Sequence, residues 1–137
     1  MKEIENKEDV AHLVHTFYAK VRKDLVLGPI FNGIIHDWDA HLDTLTDFWE
    51  TQLFLKRTYE GNPILAHQKM DETMNGTITP EHFGLWMNLW FETLDQLFTG
   101  ERAWIAKNRA QKMSTMFYIK IFEHRQGPKS WISINPA

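Results

Sequence analysis

Apolar residues recur every third or fourth position along most of the chain, the period of an amphipathic helix, and strand-like alternation bounded by turns is hard to find. Val10, Leu13, Val14, Phe17 and Val21 make one stripe with Tyr18 on its edge, which predicts a helix over about Lys7 to Asp24. Asn6 reads as its N-cap, with Asp9 three residues on as a loose capping-box partner. Gly28-Pro29 ends this segment as a turn and leaves Phe31 just past the corner. Trp38, His41, Leu42, Leu45, Phe48, Trp49 and Gln52 share the inner face of a second helix, about Asp37 to Leu55. Asp39, Asp43, Asp47 and Glu50 occupy its other face. Thr58 to Pro63 is a turn, and Asn62-Pro63 reads as a cap and first-turn proline. The short helix it starts carries Ile64, Leu65, His67 and Met70 and fades by Asn75-Gly76.

Thr79-Pro80-Glu81 repeats that start signal. Phe83, Trp86, Met87, Trp90, Leu94 and Leu97 form the stripe that follows, up to a break at Thr99-Gly100. The last helix covers about Arg102 to His124, with Ala106, Ala110, Met113, Phe117 and Ile121 inward. Gly127-Pro128 ends it and leaves Lys129 to Ala137 without a helical pattern. The expectation is an all-α fold of four long helices and one short one. Its 137 residues form one domain, 1–137, with 126–137 as an extended C-terminal tail.

Composition narrows the chemistry. Six Trp and nine Phe imply a bulky core or a cavity walled with flat rings. A net charge of −3 with interspersed signs gives no basic stripe for nucleic acid. Lys20-Val21-Arg22-Lys23 is followed at once by Asp24 and reads as a solvated helix end. Cysteine is absent, which excludes disulfides, thiolate metal sites and Cys nucleophiles. Met1 to Glu5 lack an apolar signal core and no window approaches a membrane span, so a cytoplasmic protein without membrane insertion is expected.

Seven histidines compete for a ligand role. His12 and His15 fall off the first stripe and should face solvent, while His36, His82 and His124 sit near helix ends, where capping and dipole roles are common. His41 lies within the second stripe, and His67 lies in the short helix behind its proline. Taken alone, either is more often a buried imidazole satisfied by a hydrogen bond. Tyr18 and Trp86 alone likewise read as an edge tyrosine and a core tryptophan. Against these readings stands the setting. One neutral imidazole and a large flat apolar slot are what haem requires. No His-Glu-x-x-His, paired Glu-x-x-His, Gly-x-Gly-x-x-Gly or Gly-x-Ser-x-Gly pattern equips the chain for other metal, nucleotide or hydrolytic chemistry.

The ordered set of residues resembles the group III truncated haemoglobins. Phe17-Tyr18, then Val21-Arg22-Lys23-Asp24 and Leu27-Gly28-Pro29-Ile30-Phe31, is similar to their second helix and the corner after it. His41 followed by Phe48-Trp49 is similar to their distal helix, and Tyr59-Glu60-Gly61-Asn62-Pro63 leading to His67 to their approach to the proximal histidine. His82-Phe83, Trp86 and Trp90-Phe91 are similar to the helix that follows, so the match runs in order from about Val10 to Phe122. The glycine pairs of other truncated groups are missing.

The resemblance implies a globin-like two-over-two helical sandwich around haem b (iron protoporphyrin IX). His67 would be the proximal iron ligand, with Tyr18, His41 and Trp86 on the distal side. His41 would tune the site or itself bind iron. Phe31, Leu45, Phe48, Trp49, Met70 and Met113 would contact the ring, and Arg57, Lys69 and His82 are the candidate propionate partners. O2, NO and CO are the expected ligands, with the Tyr18 hydroxyl and Trp86 indole as donors to O2. Binding could serve oxygen supply or sensing. It could instead serve nitric oxide dioxygenation or peroxidase chemistry, fed by a separate electron-donating reductase. The alternative from another class is a haem-free helical interaction module.

Overall fold

Six helices make up the fold in a computed structural model that describes residues 1–134, with side chains described through Gln126. They are α1 (Lys7–Lys23), α2 (Leu27–Ile34), α3 (Trp38–Phe54), α4 (Pro63–Thr73), α5 (Pro80–Leu97) and α6 (Glu101–Ile134). Pairs α1–α3 and α5–α6 form two layers, joined where α1 crosses α5 and α3 crosses α6. This is the two-over-two arrangement. Helix α4 packs chiefly on α6, and α2 bridges α1 to α5.

The inward stripe of α1 behaves as its periodicity demands: Val10, Leu13, Val14, Phe17, Tyr18 and Val21 are all buried. Each such side chain contributes roughly 1.5–3 kcal/mol by leaving water. Asn6 caps α1 by accepting from the Asp9 amide, while the Asp9 carboxylate accepts from the Glu5 amide. Asn62 caps α4 through the Leu65 amide, and His82 Nδ1 accepts from the Thr79 amide at the start of α5. The α6 start is capped from a distance: Glu3 accepts from the Glu101 and Arg102 amides, favoured by the positive end of the helix dipole.

Three features depart from the sequence reading. Gly28-Pro29 is not a simple turn but lies in the first turn of α2. Proline is tolerated there because its missing N–H has no helical partner to lose. Asp24 accepts from the Val26 and Leu27 amides and so starts the helix, and Gly28 lets it approach α1. A Cβ on Gly28 would stand 2.6 Å from the Arg22 carbonyl oxygen.

Helix α6 also does not end at Gly127-Pro128 but continues to Ile134. Proline already has a helical φ and removes only one backbone hydrogen bond, so it strains a helix without having to end it. The tail's side chains from residue 127, Trp131 and Pro136 among them, and the whole of 135–137 lie outside the described residues. Lastly, Glu50 is not on a solvated face. It is 3% exposed, accepts from the Thr58 hydroxyl, and lies within 4.0 Å of Lys7 and Lys56. No described helix is long and apolar enough to cross a membrane.

Candidate functional site

Between α4 and the two helical layers lies a cavity of about 360 Å³, walled by all six helices. It exists because α4 leans on α6 through one edge, Gln68 and Asp71, and turns Pro63, Ala66, His67 and Met70 toward the open space. Tyr18, Phe31, His41, Leu45, Phe48, Trp49, His67, Met70, Trp86 and Met113, all singled out in the sequence, line this one cavity. Of Arg57, Lys69 and His82, the last reaches the wall, while Arg57 and Lys69 are exposed. No Lys, Arg, Asp or Glu stands in the wall formed by the described residues.

His67 enters the cavity as a neutral ring. Its Nδ1 lies 2.6 Å from the Pro63 carbonyl oxygen one turn earlier. A carbonyl only accepts, so Nδ1 carries the proton and Nε2 keeps a lone pair. The ring stacks on Phe117 at 4.2 Å, with Phe83 at 6.2 Å, which fixes its plane. Burial pushes the imidazole pKa down, partly opposed by the Pro63 hydrogen bond. That combination is what a nitrogen donor for a metal requires.

A second cluster occupies the wall contributed by α1, α3 and α5. Tyr18 is 4% exposed and faces His41 edge-on at 6.2 Å, with Phe31 and Trp38 each at 6.0 Å. Burial holds the Tyr18 phenol well above its ordinary pKa, slightly relieved by a hydrogen bond from the Trp86 indole. The hydroxyl therefore stays protonated and keeps a proton to donate. Burial also depresses His41. Behind these groups Trp86 stacks on Trp90 at 5.5 Å and Trp90 on Trp49 at 4.5 Å, a wall of parallel indoles.

The two depressed imidazoles make stability depend on pH. Their folded pKa lies below the unfolded value of about 6.5, so below that pH the unfolded chain binds protons more readily. Their contribution is present above about pH 6.5 and is lost as pH falls through the depressed folded values. The urea midpoint should drop between pH 7.5 and 5.5, before carboxylates such as Asp71 titrate. A double His41→Gln/His67→Gln variant should flatten that slope, and an unchanged slope would assign it elsewhere.

Several wall residues escaped the sequence reading. Leu27, Ile30 and Ile34 come from α2, whose glycine and proline masked a strongly apolar helix. Phe117 and Phe83 appeared as ordinary stripe residues, and their position around His67 depends on the angle between α4 and α6. His12 and His15 are exposed, as expected. His124 pairs with Glu72, and His82 serves as a cap.

No family model matches the chain. It is 31% identical over 123 residues to the group 3 truncated hemoglobin ctb of Campylobacter jejuni, covering 87% of this chain and 93% of that protein. It also superposes on a crystal structure of a group III truncated hemoglobin from Campylobacter jejuni with a TM-score of 0.79 at 32% identity. That match spans 90% of this chain and 98% of the other.

Proposed function

The chain belongs to the group 3 truncated haemoglobins, and from that premise we propose that its cavity holds a b-type haem, with His67 bound to iron and a diatomic gas bound near Tyr18. What carries this reading is His67 itself: a neutral imidazole with Nδ1 spent on Pro63 and Nε2 left as a donor, in an apolar wall. The residues fit the group. No cluster of three or more His, Cys, Asp or Glu that could cage a bare ion occurs among the described residues, whereas a metal carried in a macrocycle needs one axial nitrogen. Phe31, Leu45, Phe48, Trp49, Met70 and Met113 supply the flat apolar bed, and His82 is the candidate partner for a propionate.

When bound, haem supplies an iron that takes one protein nitrogen and can bind O2, NO or CO. The protein's part is to hold and tune. Pro63 fixes the tautomer of His67 and raises its basicity, and Phe117 fixes the plane of its ring. Trp86 stands beside the Tyr18 hydroxyl and partly offsets the effect of burial on it, and the phenol, kept protonated, has a proton to donate. A donor in so dry a site holds a partly negative ligand more strongly than it would in water. His41 stands beside Tyr18 as a second neutral imidazole. Whether the resting ferric spectrum is low-spin six-coordinate or high-spin reads directly if it too binds the metal.

Titrating the protein with haem and recording ferric, dithionite-reduced and CO spectra tests the reading. A saturable Soret band that shifts with CO is expected. No uptake of haem would overturn the proposal and leave a helical interaction module. The Tyr18 hydrogen bond is worth roughly 1–1.5 kcal/mol, so Tyr18→Phe should speed O2 release about tenfold in stopped-flow displacement by CO. An unchanged off-rate would remove Tyr18 from the ligand's surroundings.

A further inference from the structure

The helix that carries His67 has almost no hydrophobic anchor. In α4 the single buried residue is a carboxylate, Asp71, 2% exposed. Asp71 follows His67 by one helical turn and points to the α6 edge rather than into the cavity. There it meets Arg125 in a forked pair, Nε to Oδ2 at 2.8 Å and NH2 to Oδ1 at 2.7 Å. Its Oδ1 also accepts from the Ile78 amide at 3.1 Å, and Arg125 donates to the Ile78 carbonyl. Ile78 is itself a wall residue of the cavity. The three residues thus close a ring of hydrogen bonds that joins α4, the connection to α5, and α6. Gln68, donating to the Lys120 carbonyl at 3.0 Å, and Glu72, paired with His124, are further polar ties between α4 and α6.

We propose that Asp71, acting through Arg125, is a positioning residue that orders α4 and aims the His67 imidazole before any cofactor arrives. The physical reason lies in what each force can do. Apolar burial is non-directional and would allow α4 to roll or slide on α6. A planar guanidinium gripping a carboxylate with two bonds fixes both distance and rotation. The apolar contacts that α4 does make are Met70 against the cluster of Ile30, Ile78 and Ile121 and the His67 ring on Phe117. These are stacking and packing surfaces that allow it to slide, so the polar edge is what fixes its rotation. Removing Arg125 leaves the buried Asp71 carboxylate charged and unpaired, and removing the Asp71 charge loses the fork, so in either case the latch should open.

The inference rests on the haem reading for its consequence but not for its structural core, and the measurement separates the two. Hydrogen exchange on the haem-free chain is compared for wild type, Asp71→Asn, Arg125→Met and Glu50→Gln. Glu50 is the other buried carboxylate of the described residues, in α3, and its loss serves as the control for general destabilisation. Both latch variants should speed exchange of the α4 amides at least tenfold while α1 and α5 stay protected. After loading with haem, they should release it about ten- to hundredfold faster, the range for groups that orient a metal ligand. They should also shift the iron–imidazole stretching frequency of the ferrous protein, while Glu50→Gln leaves it in place. Arg125→Lys keeps the charge but loses the fork, and should restore only part of the protection. Unchanged α4 exchange, or faster exchange spread equally over all helices, would overturn the proposal. If the wild type takes up no haem, the haem reading fails while the exchange data still decide whether Asp71 orders α4.

Discussion

His67→Gly is expected to remove the iron ligand proposed for this protein, and imidazole added to the solvent to replace it. The variant should lose the ferrous and CO spectra of the wild type and bind haem at least a hundredfold more weakly. Groups that merely orient a metal-bound histidine are already worth ten- to hundredfold, and the ligand itself exceeds that. Rescue is expected because glycine leaves a slot between the Phe117 ring and the Pro63 carbonyl, which in the wild type stand 4.2 Å (ring centroid) and 2.6 Å (Nδ1) from the imidazole. Free imidazole entering that slot would meet the same stacking surface and the same acceptor. Spectra across an imidazole titration, with His41→Leu alongside, decide the assignment. Retention of the wild-type CO spectrum in His67→Gly but not in His41→Leu would transfer the ligand role to His41.

Trp90→Ala should destabilise the fold more than any substitution in the cavity wall. Trp90 is fully buried, stacks on both Trp49 and Trp86, meets Phe17 edge-on at 4.9 Å, and donates its indole N–H to the Ala106 carbonyl. Truncating a buried tryptophan costs about 3–5 kcal/mol, because transferred area and an unfilled cavity add together. The indole's bond to the Ala106 carbonyl is lost as well, at smaller cost because that carbonyl keeps its helical donor within α6. For a chain of this length the melting temperature should fall on the order of 10–20 °C. Trp104, 64% exposed, provides the comparison, since Trp104→Ala should change stability by less than about 0.5 kcal/mol. A loss below about 1.5 kcal/mol in Trp90→Ala would mean that the indole stack closes over the gap.

Periodicity read the helices well where one face is apolar and the other is not. Val10 to Val21 in α1 and Phe83 to Leu97 in α5 are of this kind, and their caps at Asn6 and Thr79 follow from local side-chain chemistry. It failed where local and tertiary demands diverge. Gly28-Pro29 is a breaker by composition, yet the Asp24 cap and the close approach to Arg22 turn it into the start of α2. Glu50 reads as solvated because a carboxylate is ordinarily exposed, and nothing in the pattern marks Asp71; only their partners, Thr58 and Arg125, make the burial of each tolerable. The cavity residues could be singled out in advance because each lies on an inward stripe. That they line one space, and that α4 is fastened by its polar edge, depends on how helices cross, and no periodicity encodes that.

The stacked indoles also have an optical consequence. Trp49 and Trp86 stand in the cavity wall, with Trp90 between them. A visible chromophore seated against them would accept their excitation, so their ultraviolet emission would dim as the cavity fills and recover as it empties. The protein thus carries its own unlabelled gauge of occupancy, built from the same side chains that hold its core together.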